Sequence, residues 1–79
     1  MAKTLFIVVP CYNEQEVLRE TAKRLCKKLE ALVHSKKAHR NSKILFVNDG
    51  SKDLTWEIIK ILHEEFSFIA GIDLAKNSD

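Results

Sequence analysis

Residues 4–9 read TLFIVV and residues 44–47 read ILFV, two unbroken apolar runs rich in β-branched side chains. Runs this short with no polar alternation suit strands buried on both faces, as in a parallel sheet. Parallel neighbours cannot be joined by a tight turn, so the chain between them must cross over, usually through a helix. Leu18, Ala22, Leu25, Leu29 and Leu32 recur at steps of four, three, four and three, which is one apolar helical stripe. Pro10 is expected to end the first strand by removing a backbone donor. Asn13, with Glu16 three residues on, has the pattern of a capping box, so the first helix is placed at 14–34.

The second half repeats this order. NDGSKD, residues 48–53, is a turn cluster in which Gly50 is free to take a positive φ. Ser51 or Asp53 can cap a second helix over 53–65, whose inward positions include Thr55, Ile58, Ile59 and Leu62. FIAGIDL, residues 68–74, reads as a third strand that Gly71 interrupts. Two right-handed crossovers then give an α/β unit: a three-stranded parallel sheet in the order 3-2-1 with helices packed on it.

With 79 residues the chain holds one domain at most and a thin core. Its 46% hydrophobic and 30% charged residues are ordinary globular composition, and a net charge of +2 makes no case for a nucleic-acid partner. No apolar run approaches the roughly 20 residues a membrane span needs, and the N-terminus lacks the features of a secretory signal. Cys11 and Cys26 read as buried free thiols of a reducing compartment. The basic stretch at 34–43, HSKKAHRNSK, reads as a solvated loop with cations at a helix C-terminus, with phosphate attraction as the alternative.

Two polar clusters, PCYNE at 10–14 and NDGSKD at 48–53, each follow a strand directly. Ligands of open parallel sheets bind outside the carboxyl ends of the strands. If the two strands are neighbours, the clusters share one crevice. Tyr12 then offers a flat face to a base, and Glu14 and Asp49 offer acceptors to ribose hydroxyls or ring N–H groups. Each feature also has a plainer account. Asn13 and Glu16 can simply cap, Asp49–Gly50 is a common turn pair, and Cys11 suits packing better than nucleophilic attack. His34, His39 and His63 lack metal-ligand spacing, and Trp56 suits helix packing. The glycine-rich dinucleotide fingerprint and the P-loop do not occur.

IVVPCYNEQEVL, then ILFVNDGSKDLTWEII, then IDLAKN, in that order and at that spacing, resembles the start of a family-2 glycosyltransferase of the GT-A fold. The similarity runs from Leu5 to Asn77 and is greatest to the branch of dolichol-phosphate mannose synthases and polyprenyl-phosphate glucosyltransferases. The resemblance implies a truncated GT-A nucleotide-binding half, Rossmann-like, with residues 1–79 as the N-terminal nucleotide-sugar-binding portion. It assigns the nucleoside of a UDP- or GDP-sugar to Pro10, Tyr12, Glu14, Val47 and Asp49. Asn48 stands where many relatives carry a second aspartate. Lys76 and Asn77 match a basic–Asn pair after the third strand, and Asp79 replaces a usual glycine.

The family's Asp-x-Asp segment, which holds Mg²⁺ or Mn²⁺ and the sugar diphosphate, does not occur in these residues. No catalytic residue is assigned, and the fragment alone is expected to be inactive. The whole enzyme is expected to transfer a sugar with inversion, with a polyprenyl phosphate as one acceptor, in the cytoplasm or at the cytoplasmic face of a membrane. Cell-envelope or glycolipid biosynthesis is the setting this implies. Two other functions stand beside this one: a non-catalytic nucleotide-binding module, and a structural fragment that self-associates through its open sheet edge.

Overall fold

The computed structural model describes residues 3–74. Strand β1 (Phe6–Cys11) leads through helix α1 (Leu18–His34) to β2 (Lys43–Asn48), and helix α2 (Thr55–Glu65) leads on to β3 (Ile69–Asp73). Both neighbouring pairs are parallel and β2 is central, so the expected architecture and strand order are found.

The central strand explains the core. Ile44 and Phe46 of β2 are fully buried, flanked by Ile69 of β3 and Cys11 of β1. Leu18, Ala22, Cys26 and Leu29 of α1 and Ile59 and Leu62 of α2 close over them. The α1 stripe is rotated slightly from the expected one: Cys26 lies in its centre, while Leu25 and Leu32 are half-buried.

The first strand departs from expectation twice. Pro10 lies inside β1, opposite Val47, and does not end it. The Lys43 amide donates to the Leu5 carbonyl (2.9 Å) and the Asp49 amide to the Cys11 carbonyl (3.0 Å). Strand alternation therefore turns the odd residues of β1 toward β2 and aims the missing donor of Pro10 at the open edge, where a proline costs no ladder bond. Nor is β1 buried on both faces. Ile7, Val9 and Cys11 face the helices, while Phe6 and Val8 are 63% and 59% exposed.

The helices begin later than the sequence suggests. No capping box forms, because Asn13 adopts φ 51° and directs both its polar ends into the 51–52 turn. The Glu14 carbonyl instead accepts from the Val17 and Leu18 amides, and α1 starts after this turn. At α2 neither Ser51 nor Asp53 is the N-cap: that position is Leu54, which makes no side-chain cap bond, while Asp53, one residue earlier, accepts the Thr55 amide on Oδ1 at 2.9 Å. Gly50 takes φ 71°, as the turn pattern requires. His63 contacts the Ile69 carbonyl at 2.7 Å and so covers part of the β3 edge.

Candidate functional site

Parallel pairing in register brings the two polar clusters together. Pro10 lies opposite Val47 and Cys11 opposite Asn48, so Tyr12 and Asp49 leave the sheet from adjacent strand ends. Tyr12 and Asp49 are exposed, and Glu14 and Val47 are half-buried.

Hydrogen bonds clasp the two loops. The Asn13 amide donates to Ser51 Oγ (2.9 Å), and the Lys52 amide donates to Asn13 Oδ1 (2.8 Å). The Glu14 amide donates to Thr55 Oγ1 (2.9 Å), the Gln15 amide to Asp53 Oδ2 (3.3 Å), and the Leu54 amide to Gln15 Oε1 (2.9 Å). Each loop leaves backbone donors unsatisfied by its own residues, and the other loop supplies the acceptors. Thr55 is fully buried and its hydroxyl in turn donates to Asp53. Sequence reasoning missed Gln15 and the role of Thr55. The available signal was the surplus of short side-chain acceptors, Asn13, Ser51, Asp53 and Thr55, around two turns rich in unpaired amides.

The clasp has electrostatic consequences. Desolvation pushes the Asp53 carboxyl up, but bonds from the Thr55 hydroxyl and amide and from the Gln15 amide outweigh it and hold the carboxyl below its ordinary range. Burial, assisted by the negative charge of Glu14, pushes the Cys11 thiol up to about 11. Cys11 is therefore a neutral thiol at physiological pH, and its Sγ lies 3.4 Å from the Val9 carbonyl. Burial and Glu30 act the same way on Cys26, and both cysteines are free.

A cleft of about 600 Å³ lies between the 13–17 turn and Lys52–Asp53. Of the five sequence-predicted site residues, only Glu14 lines it. Pro10 and Glu14 line a second hollow of about 200 Å³ beside Cys11. The cleft is thus displaced from Tyr12, Val47 and Asp49 toward the two helix starts, and Glu14 joins the two regions. Lys76, Asn77 and Asp79 lie outside the described residues. Among the described residues no cluster of three or more His, Cys, Asp or Glu can hold a metal ion, so no step is assigned to Mg²⁺ or Mn²⁺ on this chain. Among them, too, no helix is long and apolar enough to cross a membrane.

The family model described as glycosyl transferase family 2 matches residues 6–79. The chain is 45% identical over 73 residues to the uncharacterized glycosyltransferase YkoT of Bacillus subtilis (strain 168), covering 92% of this chain and 22% of that protein. It is 44% identical over 54 residues to the uncharacterized glycosyltransferase YkcC of the same organism, covering 68% of this chain and 15% of the relative. It is 32% identical over 60 residues to the UDP-N-acetylglucosamine–dolichyl-phosphate N-acetylglucosaminyltransferase of Methanococcus voltae, covering 76% and 20%. The chain therefore spans between 15% and 22% of the length of these relatives. No solved structure matches.

Proposed function

The chain belongs to glycosyl transferase family 2, and from that premise we propose that it forms the nucleoside-binding portion of an enzyme that uses a UDP- or GDP-sugar. The observation that supports this most is the register of β1 on β2, which sets Tyr12, Glu14, Val47 and Asp49 at two adjacent strand ends. In open α/β sheets that is where a ligand finds backbone amides and side chains converging. Tyr12 stacks on the base, and the Glu14 and Asp49 carboxylates accept from ribose hydroxyls and the base edge. A base with the wrong donor pattern leaves a carboxylate unpaired, which gives discrimination. The loop clasp fixes the approach of the two clusters before ligand arrives, so less ordering is left to binding.

The whole protein transfers the sugar by displacement at the anomeric carbon with inversion, and a carboxylate outside these residues deprotonates or orients the acceptor. A divalent cation supplies charge compensation for the leaving diphosphate when bound. The Methanococcus relative's name specifies a dolichyl-phosphate acceptor for that protein. A lipid-linked phosphate is accordingly the acceptor class proposed for the whole protein, in line with the polyprenyl-phosphate branch and with work at a cytoplasmic membrane face.

The test is amide-shift titration of the chain with UDP, GDP and ATP. With no metal-holding cluster among the described residues the diphosphate is poorly compensated, so the dissociation constant should be on the order of 1 mM, or about 4 kcal/mol. Added Mg²⁺ should change it little. Shifts gathered at residues 10–14 and 47–51, weakened by Asp49→Ala, are the expected result. Shifts confined to the basic loop at 36–43 would show phosphate attraction alone and overturn the nucleoside site.

A further inference from the structure

Asn48 ends β2 and is 3% exposed, among the few buried polar side chains of the described residues. It lies opposite Asp73, the last residue of β3. Its Nδ2 donates to Asp73 Oδ1 at 3.2 Å, and its Oδ1 accepts the Ser51 amide at 3.4 Å. The next links are those of the clasp: Ser51 Oγ accepts the Asn13 amide, and Asn13 Oδ1 accepts the Lys52 amide. A continuous series of hydrogen bonds thus runs from the end of β3, through Asn48, into the loop carrying Asp49 and on to the loop carrying Tyr12 and Glu14.

We infer that Asn48 and Asp73 are a positioning pair that sets the two ligand loops from beneath, with the third strand as their anchor. This rests on the nucleoside site proposed above. The chemistry singles out an amide at position 48. The group must donate on one side, to a carboxylate, and accept on the other, from a backbone N–H. A carboxylate there can only accept and would meet Asp73 as a like charge. An aliphatic group can do neither, so the Ser51 amide and Asp73 Oδ1 would each lose the bond that Asn48 makes. Neither residue touches ligand in this arrangement. Asn48 acts on Asp49 and Glu14 only through where it holds their loops.

The pair can be inverted. A carboxylate at position 48 can accept from the Ser51 amide and from a side-chain amide at position 73, so exchanging the two side chains keeps both bonds. The experiment compares the wild-type chain, Asn48→Asp and the double variant Asn48→Asp/Asp73→Asn by amide spectra and UDP titration. Asn48→Asp should move the amide resonances of Asn13, Ser51 and Lys52 and raise the UDP dissociation constant at least fivefold. The double variant should restore the resonances and bring the constant back within twofold. Should Asn48→Asp not fold, recovery of the fold, the resonances and UDP binding in the double variant carries the same meaning. Failure of the double variant to recover them overturns the inference. So does an Asn48→Asp chain that binds UDP as the wild type does. If the wild-type chain binds no UDP, the nucleoside site itself has failed, and the three amide resonances alone then decide whether the pair holds the loops.

Discussion

Asp53 accepts from two loops at once, and its ionisation state should be readable in the stability of the fold. Its carboxyl is held below the ordinary 3.8 by Thr55 and Gln15. A depressed folded pKa means that the unfolded chain binds the proton more readily. The stabilisation is therefore fully present above pH 3.8 and is lost as pH falls through the lower folded value. Asp53→Asn keeps an acceptor oxygen for the Thr55 amide but cannot titrate. Urea midpoints at pH 7 and pH 3 should differ less for Asp53→Asn than for the wild type; equal differences would remove Asp53 as a source of acid sensitivity. That Asp53 serves the start of α2 was legible, because it sits two residues before an amphipathic run and acts locally, although the N-cap position falls on Leu54. Asn13 was not. Its spacing to Glu16 fits a capping box, yet its partners Ser51 and Lys52 are 38 and 39 residues away. A local pattern cannot report a contact that exists only once two strands have paired. The same limit separates the five candidate site residues, whose strand-end placement follows from the order of runs, from Gln15 and Thr55, whose roles need both loops.

At the scale of elements, Gly71 shows how closely α2 lies on β3. A Cβ built there would be 2.4 Å from Ile59 Cγ2 and 3.1 Å from Trp56 Cζ3. In the sequence this glycine reads as a weak point in a strand. In the fold it is the surface on which the fully buried Ile59 rests. Adding one methyl requires α2 to lift or Ile59 to leave its rotamer, an overpacking cost of about 1–3 kcal/mol. Gly71→Ala should lower the urea-unfolding free energy by that amount. Ile59→Ala should cost less in the Gly71→Ala background than in the wild type, because the two changes share one contact. Additive costs would show that the crowding lies elsewhere. Pro10 gives the complementary lesson. Read alone it ends a strand, but that holds only for a proline whose nitrogen faces a partner, and the parity of β1 turns it outward.

At the scale of the whole molecule, the described residues give the sheet one face dressed by helices and one bare face. Both helices connect parallel strands taken in order, and the buried alternation of β2 puts Ile44, Phe46 and Asn48 beneath them. Val8, Leu45 and Ala70, aligned across the strands, point the other way, as do Phe6, Val47 and Ile72. Phe6, Val8 and Ile72 remain exposed there, and among the described residues β1 is an edge strand beside them. A contiguous apolar face next to an unpaired edge favours association of the 79-residue chain with itself. Pro10 limits pairing along that edge, since its nitrogen cannot donate to a second strand, so face burial is expected to contribute more than added ladder bonds. Sedimentation velocity should therefore show a coefficient that rises with concentration. Val8→Lys places a charge on the edge strand of the bare face, where the helices do not pack, and should abolish the rise while leaving the unfolding free energy within about 0.5 kcal/mol of the wild type. A concentration-independent monomer would refute the association. Association that survives Val8→Lys would move the contact away from this face, to the helices or to the β3 edge beside His63.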